Sequence, residues 1–203
     1  ASQTGQKETA AILIESVLGE GGYIVPPASF MKGLREICDK HGIMLIFDEV
    51  QSGFGRTGKW FALEHFGVIP DIITAAKGIA SGMPLSGVFT RTDVMKKIDT
   101  GSIGGTYGGN AIACAAGVAT IKAMREEKML ENASERGVQL MTGLRKLQEE
   151  YPQIGDVRGK GLMVGTEFIV GGSQARAKPL VKEVIHKAEE KGMLLLSCGT
   201  YDN

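Results

Sequence analysis

Two ionisable side chains stand where an open α/β sheet presents its ligands. Asp48 directly follows the apolar run Ile43–Phe47 (IMLIF), and Lys77 follows Asp71–Ala75 (DIITA) by two residues. Ligands of such sheets bind beyond the carboxyl ends of the strands. If the two runs are neighbouring strands, an acid and an amine face one crevice. The plain alternative is a solvated lysine and a helix-capping aspartate, because most charges are solvated. Between them lies Gly53-Phe54-Gly55-Arg56-Thr57-Gly58, a literal G-x-G-x-x-G. A dinucleotide loop needs its first glycine at the strand end and an acid at the end of the next strand. Here Asp48, Glu49, Val50 and Gln51 intervene, and Asp71 begins its run, so the nucleotide reading is disfavoured. The second glycine cluster, Gly101–Asn110 (GSIGGTYGGN), leads into a helix. Its backbone N–H groups and hydroxyls suit an anion cradle.

The elements that must position these residues alternate. Ala10–Val17 reads as a buried strand, and Phe30, Leu34, Ile37 and Cys38 mark an amphipathic helix that Gly42 stops. With Ile43–Phe47 and Asp71–Ala75 as further strands, the order is that of βαβ units in a parallel sheet. Pro84–Thr90 adds a strand. Asn110 is a good N-cap for a helix over Ala111–Met124, whose small residues on nearly every face predict close packing. Leu140, Leu144 and Leu147 stripe another helix; Gly161–Ile169 reads as a strand, Pro179–Lys191 as a helix and Met193–Ser197 as a strand. A boundary near Lys128 divides the chain into 1–128 and 129–203.

Composition narrows the function classes. Lys and Arg number 23 against 23 Asp and Glu in 203 residues, so the chain lacks the cation excess of a nucleic-acid binder. No apolar run approaches the ~18–20 residues of a membrane span. Cys38, Cys114 and Cys198 lie far apart, without metal-knuckle or disulfide-framework spacing, and a reducing cytoplasm is the default. His41, His65 and His186 form no ligand pair. Asp48 and Glu49, adjacent on an extended segment, point opposite ways, so no metal site is expected.

The stretch Ile46–Pro84 (IFDEVQSGFGRTGKWFALEHFGVIPDIITAAKGIASGMP), together with Gly104–Asn110 (GGTYGGN), resembles the signature of the class III aminotransferases. These are pyridoxal 5'-phosphate enzymes of fold type I. The resemblance runs from Ala10 to Asn203, and the tail Leu194–Asn203 is most similar to the 4-aminobutyrate branch. It implies an α/β large domain over 1–128, a mostly parallel sheet between helices, then part of a small α+β C-terminal domain over 129–203.

The resemblance also implies roles. Lys77 is the amine that joins the cofactor aldehyde and then carries the reacting proton, a step that needs a neutral amine. Asp48 pairs with the ring nitrogen, Val50 packs on the ring, and Gln51 bonds the ring hydroxyl. Thr106 binds phosphate in the partner subunit of a homodimer. Glu20, in Gly19-Glu20-Gly21-Gly22, matches the acid that pairs with a substrate-binding arginine, letting one site take both an amine without an α-carboxylate and a dicarboxylate. Arg158 is a different family position and does not inherit that arginine's role. Ser16 and Leu18 replace a proline and a glutamine usual in the branch.

The activity expected is transfer of an amino group from a small-molecule amino donor, 4-aminobutyrate or a related ω-amino acid, to the 2-oxo acid 2-oxoglutarate. The alternatives are a related enzyme acting on acetylornithine, ornithine, diaminobutyrate or a racemised amino acid, and a catalytically incompetent fragment. Family members extend beyond both ends of this sequence, so the chain is expected to be a piece of a longer enzyme; by itself the piece is expected to be an oligomer that retains the cofactor weakly or not at all.

Overall fold

The computed structural model describes residues 8–171, 173 and 175–203. The chain divides into two compact units, 1–16 with 26–130, and 17–25 with 131–203.

The first unit is built on a four-stranded sheet in the order β1 (Ala11–Glu15), β2 (Met44–Asp48), β3 (Ile72–Ala75), β4 (Gly87–Thr90). β1, β2 and β3 are parallel, and β4 runs antiparallel to β3. The sheet is therefore mixed at one edge, where the chain returns after a short link instead of a crossover helix. Helix α1 (Ala28–His41) makes the crossover from β1 to β2 and packs on β2. Gly42 ends it in the left-handed region at φ 67°, with its N–H donating to the Cys38 carbonyl. Alternation along β2 buries Leu45 and Phe47 completely, and α1 contributes the equally buried Met31 and Cys38. Phe30 and Ile37, on the helix's apolar stripe, remain about half exposed.

A carboxylate knots the opposite ends of these strands. Asp71, just before β3, accepts hydrogen bonds from Leu45 N (2.8 Å), Arg35 of α1 (2.9 Å) and Arg91 beyond β4 (3.0 Å). Burial pushes its carboxyl up, but these donors outweigh burial and hold it below the usual carboxylate range.

Beyond β4 come α2 (Thr92–Met95) and α3 (Ala111–Glu126). Asn110 caps α3, its Oδ1 accepting from Ala113 N at 3.0 Å. The small residues of α3 serve one face: Ala113, Gly117 and Met124 are buried, whereas Ile112 and Val118 are about 70% exposed. The expectation of packing on nearly every face is thus corrected to packing on one.

The second unit holds α4 (Met129–Glu150, entering at residue 131), the antiparallel hairpin β5 (Ile154–Lys160) and β6 (Met163–Phe168), and α5 (Lys178–Glu190). Its first piece, 17–25, closes a turn by mutual backbone bonds between Leu18 and Ile24. Gly137 lets α4 approach the hairpin, since a Cβ there would meet the backbone of Gly161. β5 has no counterpart in the sequence reading, because Gly155, Gly159 and the charges at 156, 158 and 160 hide its alternation. The strand expected at Met193–Ser197 does not form. Among the described residues no strand pairs with that run, and Leu194 and Leu196 are about 90% exposed.

Candidate active site at the carboxyl ends of β2 and β3

Asp48 is the last residue of β2, and Thr74 is its register partner on β3. Lys77 lies three residues beyond Thr74. Parallel neighbours are about 4.8 Å apart, so the acid and the amine emerge at the same end of adjacent strands. Asp48 is half-buried, and one carboxylate oxygen accepts from Val50 N at 2.9 Å. Lys77 is exposed and opens a short 3₁₀ turn, Lys77–Ala80, with φ 45°. A non-glycine residue in that region costs on the order of 1 kcal/mol and persists only where its surroundings impose it. Here Gly78 lies against Phe54, and Gly117 of α3 lies against the Ile79 carbonyl, so the turn is gripped from two sides.

The loop after β2 is anchored by a residue that sequence reasoning treated only as a metal candidate. Glu49 is fully buried. Its carboxylate accepts from Ser52 Oγ (2.6 Å), Ala62 N (2.9 Å) and Leu63 N (2.7 Å), and its own N–H donates to the Thr74 carbonyl (2.9 Å). A buried carboxylate is tolerable only when satisfied in this way. Asp48 and Glu49 thus take opposite faces: Asp48 stands at the crevice, and Glu49 fastens the loop carrying the half-buried Val50 and Gln51. The sequence signal was the pair of acids itself, of which period-two alternation allows only one to face the crevice.

The G-x-G-x-x-G loop is a packing device. Four of its backbone donors are spent internally: Gly53 N to the Glu49 carbonyl, Phe54 N to Trp60, Gly55 N to Lys59 and Gly58 N to Gly55. A Cβ on Gly53 would stand 2.7 Å from the Glu49 carbonyl oxygen. All three of its glycine N–H groups are thus engaged within the loop and its flanks.

Thr106 and Tyr107 lie exposed in the loop before α3, within the first unit. Glu20 belongs to the second unit, exposed on the turn Gly19–Gly22, where Gly22 N donates to the Gly19 carbonyl. Gly199 N donates to the Glu20 carbonyl at 2.7 Å. Arg158, on β5, donates from Nε to the Gly22 carbonyl at 2.8 Å. Among the described residues no cluster of His, Cys, Asp and Glu is arranged to hold a metal ion, and no helix is long and apolar enough to cross a membrane.

An exposed amine held in a strained turn, a carboxylate one strand away and an apolar residue beside it suit a cationic heteroaromatic aldehyde such as pyridoxal phosphate. An α/β unit with this strand-end site, followed by a small hairpin-containing unit, is the architecture of the fold type I transferases. The chain belongs to the aminotransferase class-III family, whose model matches residues 1–202.

Among curated relatives it is 50% identical over 197 residues to the 5-aminovalerate aminotransferase DavT of Pseudomonas putida, covering 97% of this chain and 46% of that one. It is 48% identical over 198 residues to the 4-aminobutyrate aminotransferase GabT of Escherichia coli, with the same two coverages. A transaminase from the marine bacterium Virgibacillus superposes with a TM-score of 0.91 at 35% identity, over 98% of this chain and 47% of that one. The chain spans about half the length of the curated relatives it matches.

Proposed function

We propose that the protein is a pyridoxal-phosphate-dependent transaminase that moves an amino group from 4-aminobutyrate or a related ω-amino acid, such as 5-aminovalerate, to 2-oxoglutarate. The observation that carries this reading is the placement of Asp48 and Lys77 at the carboxyl ends of adjacent parallel strands. Membership of the family and the names of its relatives support the substrate class.

When bound, pyridoxal phosphate supplies an electron sink for the substrate carbon that loses its proton. Lys77 would hold the cofactor at rest and would carry the proton at Nζ. Asp48 keeps positive charge on the ring nitrogen, Val50 shields the ring face from water, and Gln51 donates to the ring hydroxyl. Thr106 gives its hydroxyl to a phosphate in the partner subunit of a homodimer. Glu20 pairs with a substrate-binding arginine when the donor lacks an α-carboxylate and releases it when a dicarboxylate enters.

The test uses the full-length protein supplied with pyridoxal phosphate, 2-oxoglutarate and a panel of 4-aminobutyrate, 5-aminovalerate, ornithine, acetylornithine and diaminobutyrate. Glutamate formation fastest with one of the first two is the expected result. A preference for ornithine, acetylornithine or diaminobutyrate would overturn the substrate class. Borohydride reduction followed by peptide mapping should leave cofactor mass on Lys77; mass on another lysine would overturn the site.

A further inference from the structure

We propose that Arg158 is a specificity-positioning residue: by holding the turn that carries Glu20, it sets the preference between amines lacking an α-carboxylate and α-carboxylate substrates. The inference rests on the reading of Glu20 given above and deepens it.

Glu20 stands on a turn whose own backbone bonds, Leu18 with Ile24 and Gly22 N and Tyr23 N to the Gly19 carbonyl, leave the carbonyls of Glu20 and Gly22 to outside donors. Tyr23, at φ 52°, is a non-glycine residue in the left-handed region and persists there only where its surroundings impose it. Two donors from beyond the turn hold its carbonyls. Gly199 N bonds the Glu20 carbonyl at 2.7 Å, and Arg158 Nε bonds the Gly22 carbonyl at 2.8 Å. The guanidinium reaches round the turn, since a Cβ on Gly22 would lie 3.2 Å from Arg158 Nη2.

Arg158 is itself locked. Its Nη1 donates to Asp156 Oδ2 on its own strand and to Glu167 Oε2 across the hairpin on β6, both at 2.8 Å. The other Glu167 oxygen accepts from Asn203 Nδ2 at 3.3 Å. Gly165 on β6 completes the seat, because a Cβ there would stand 3.3 Å from both the Gly22 carbonyl oxygen and Tyr23 Cβ. A rigid, charge-assisted fork thus runs from the hairpin to the backbone two residues from Glu20. Arg158 needs no contact with substrate to act: displacement of the turn moves the Glu20 carboxylate away from the arginine it must neutralise. That loss falls on donors without an α-carboxylate, since a dicarboxylate engages the arginine itself.

The experiment compares wild type, Glu20→Gln, Arg158→Met, Arg158→Lys and the double variant Glu20→Gln/Arg158→Met in the full-length enzyme, with separate kcat and KM for 4-aminobutyrate and for 2-oxoglutarate. Arg158→Met should raise KM for 4-aminobutyrate roughly tenfold, with kcat and KM for 2-oxoglutarate within about twofold. Arg158→Lys, which keeps one donor, should recover part of the loss. The double variant should be no worse than Glu20→Gln alone, as expected of residues acting through one another. Additive losses, or an Arg158→Met loss spread equally over both substrates, would overturn the proposal. Should Arg158→Met fail to fold, Arg158→Lys and Glu167→Gln carry the same comparison, and no change in the KM ratio for either would overturn it. If Glu20→Gln leaves the KM ratio unchanged, the reading of Glu20 fails. If Glu20→Gln shifts the ratio and the folded Arg158 variants do not, the role of Arg158 alone fails.

Discussion

At the scale of single residues, two carboxylates show how environment divides labour. Asp48 ends β2 with one oxygen engaged by Val50 N. Replacing it with alanine in the full-length enzyme should lower turnover by about two orders of magnitude or more, because a preorganised charge at the reacting group is lost. Asp48→Glu should lose far less, and steady-state kinetics of the two variants check this; equal activity for Asp48→Ala and wild type would remove Asp48 from the mechanism. Asp71 works on stability instead. Its folded pKa lies below the unfolded value, so its contribution is fully present above that unfolded pKa and is lost as pH falls through the folded one. Asp71→Asn should cost roughly 2 kcal/mol at neutral pH, the order of a charged hydrogen-bond partner lost from a partly buried site. The gap to wild type should close as the solution is acidified below the ordinary aspartate range. Urea titrations from pH 7 down to the acid limit would show it; a pH-independent gap would mean that the Arg35 and Arg91 contacts carry no net charge stabilisation.

At the scale of elements, the turn bearing Lys77 depends on a helix remote from it in sequence. Gly117 of α3 is buried; a Cβ there would meet Leu85 Cδ2 at 2.9 Å and the Ile79 carbonyl oxygen at 3.4 Å. The first contact is the end of a flexible side chain, and the second is backbone of the Lys77 turn. Gly117→Ala therefore trades a helix-propensity gain of about 1 kcal/mol against a small shift of Leu85, and should be close to neutral. Gly117→Val adds branching that must push the turn itself, at a cost of roughly 1–3 kcal/mol from overpacking. It should also lower the pyridoxal phosphate bound per chain, measured after gel filtration of the full-length protein. Wild-type cofactor content in Gly117→Val would show that α3 does not determine the pose of Lys77.

At the scale of the whole molecule, the chain carries two separately packed units, with the connection crossing between them after Ser16, after Val25 and after Leu130. The first has its sheet core around Leu45 and Phe47; the second rests on Ile154, Val157, Met163 and Val181. Each has its own buried apolar set, so unfolding is expected to depart from a single two-state transition. Trp60, the one tryptophan, reports on the first unit, and amide exchange along β5 and β6 reports on the second. Different denaturant midpoints from the two probes are expected; coincident midpoints would show that the units unfold as one.

What could be read from the sequence was whatever local chemistry decides. Apolar runs bounded by glycine, a helix ended by Gly42, a helix begun by Asn110 and charged residues just after apolar runs are short-range signals, and the structure shows each in place; the burial expected of Ala10–Val17 is corrected, since Leu13 of β1 is 63% exposed, and β3 buries only Ala75. The neighbourhood of Asp48 and Lys77 was legible for the same reason: parallel strands joined by a crossover bring their carboxyl ends together. Tertiary structure decided matters for which no local signal exists. Period-two alternation allowed one of Asp48 and Glu49 to face the crevice, but the backbone donors at Ala62 and Leu63, supplied 13 and 14 residues later, settle that Glu49 is the anchor. The hairpin strand β5 was invisible because its pairing with β6 overrides a run of glycines and charges. Met193–Ser197 read as a strand, yet a strand needs a partner's hydrogen bonds, and among the described residues no strand pairs with it. Arg158 was set aside in the sequence because it is a different family position from the arginine that pairs with Glu20. Its hold on Gly22 spans 136 residues, a separation that only the folded chain can close.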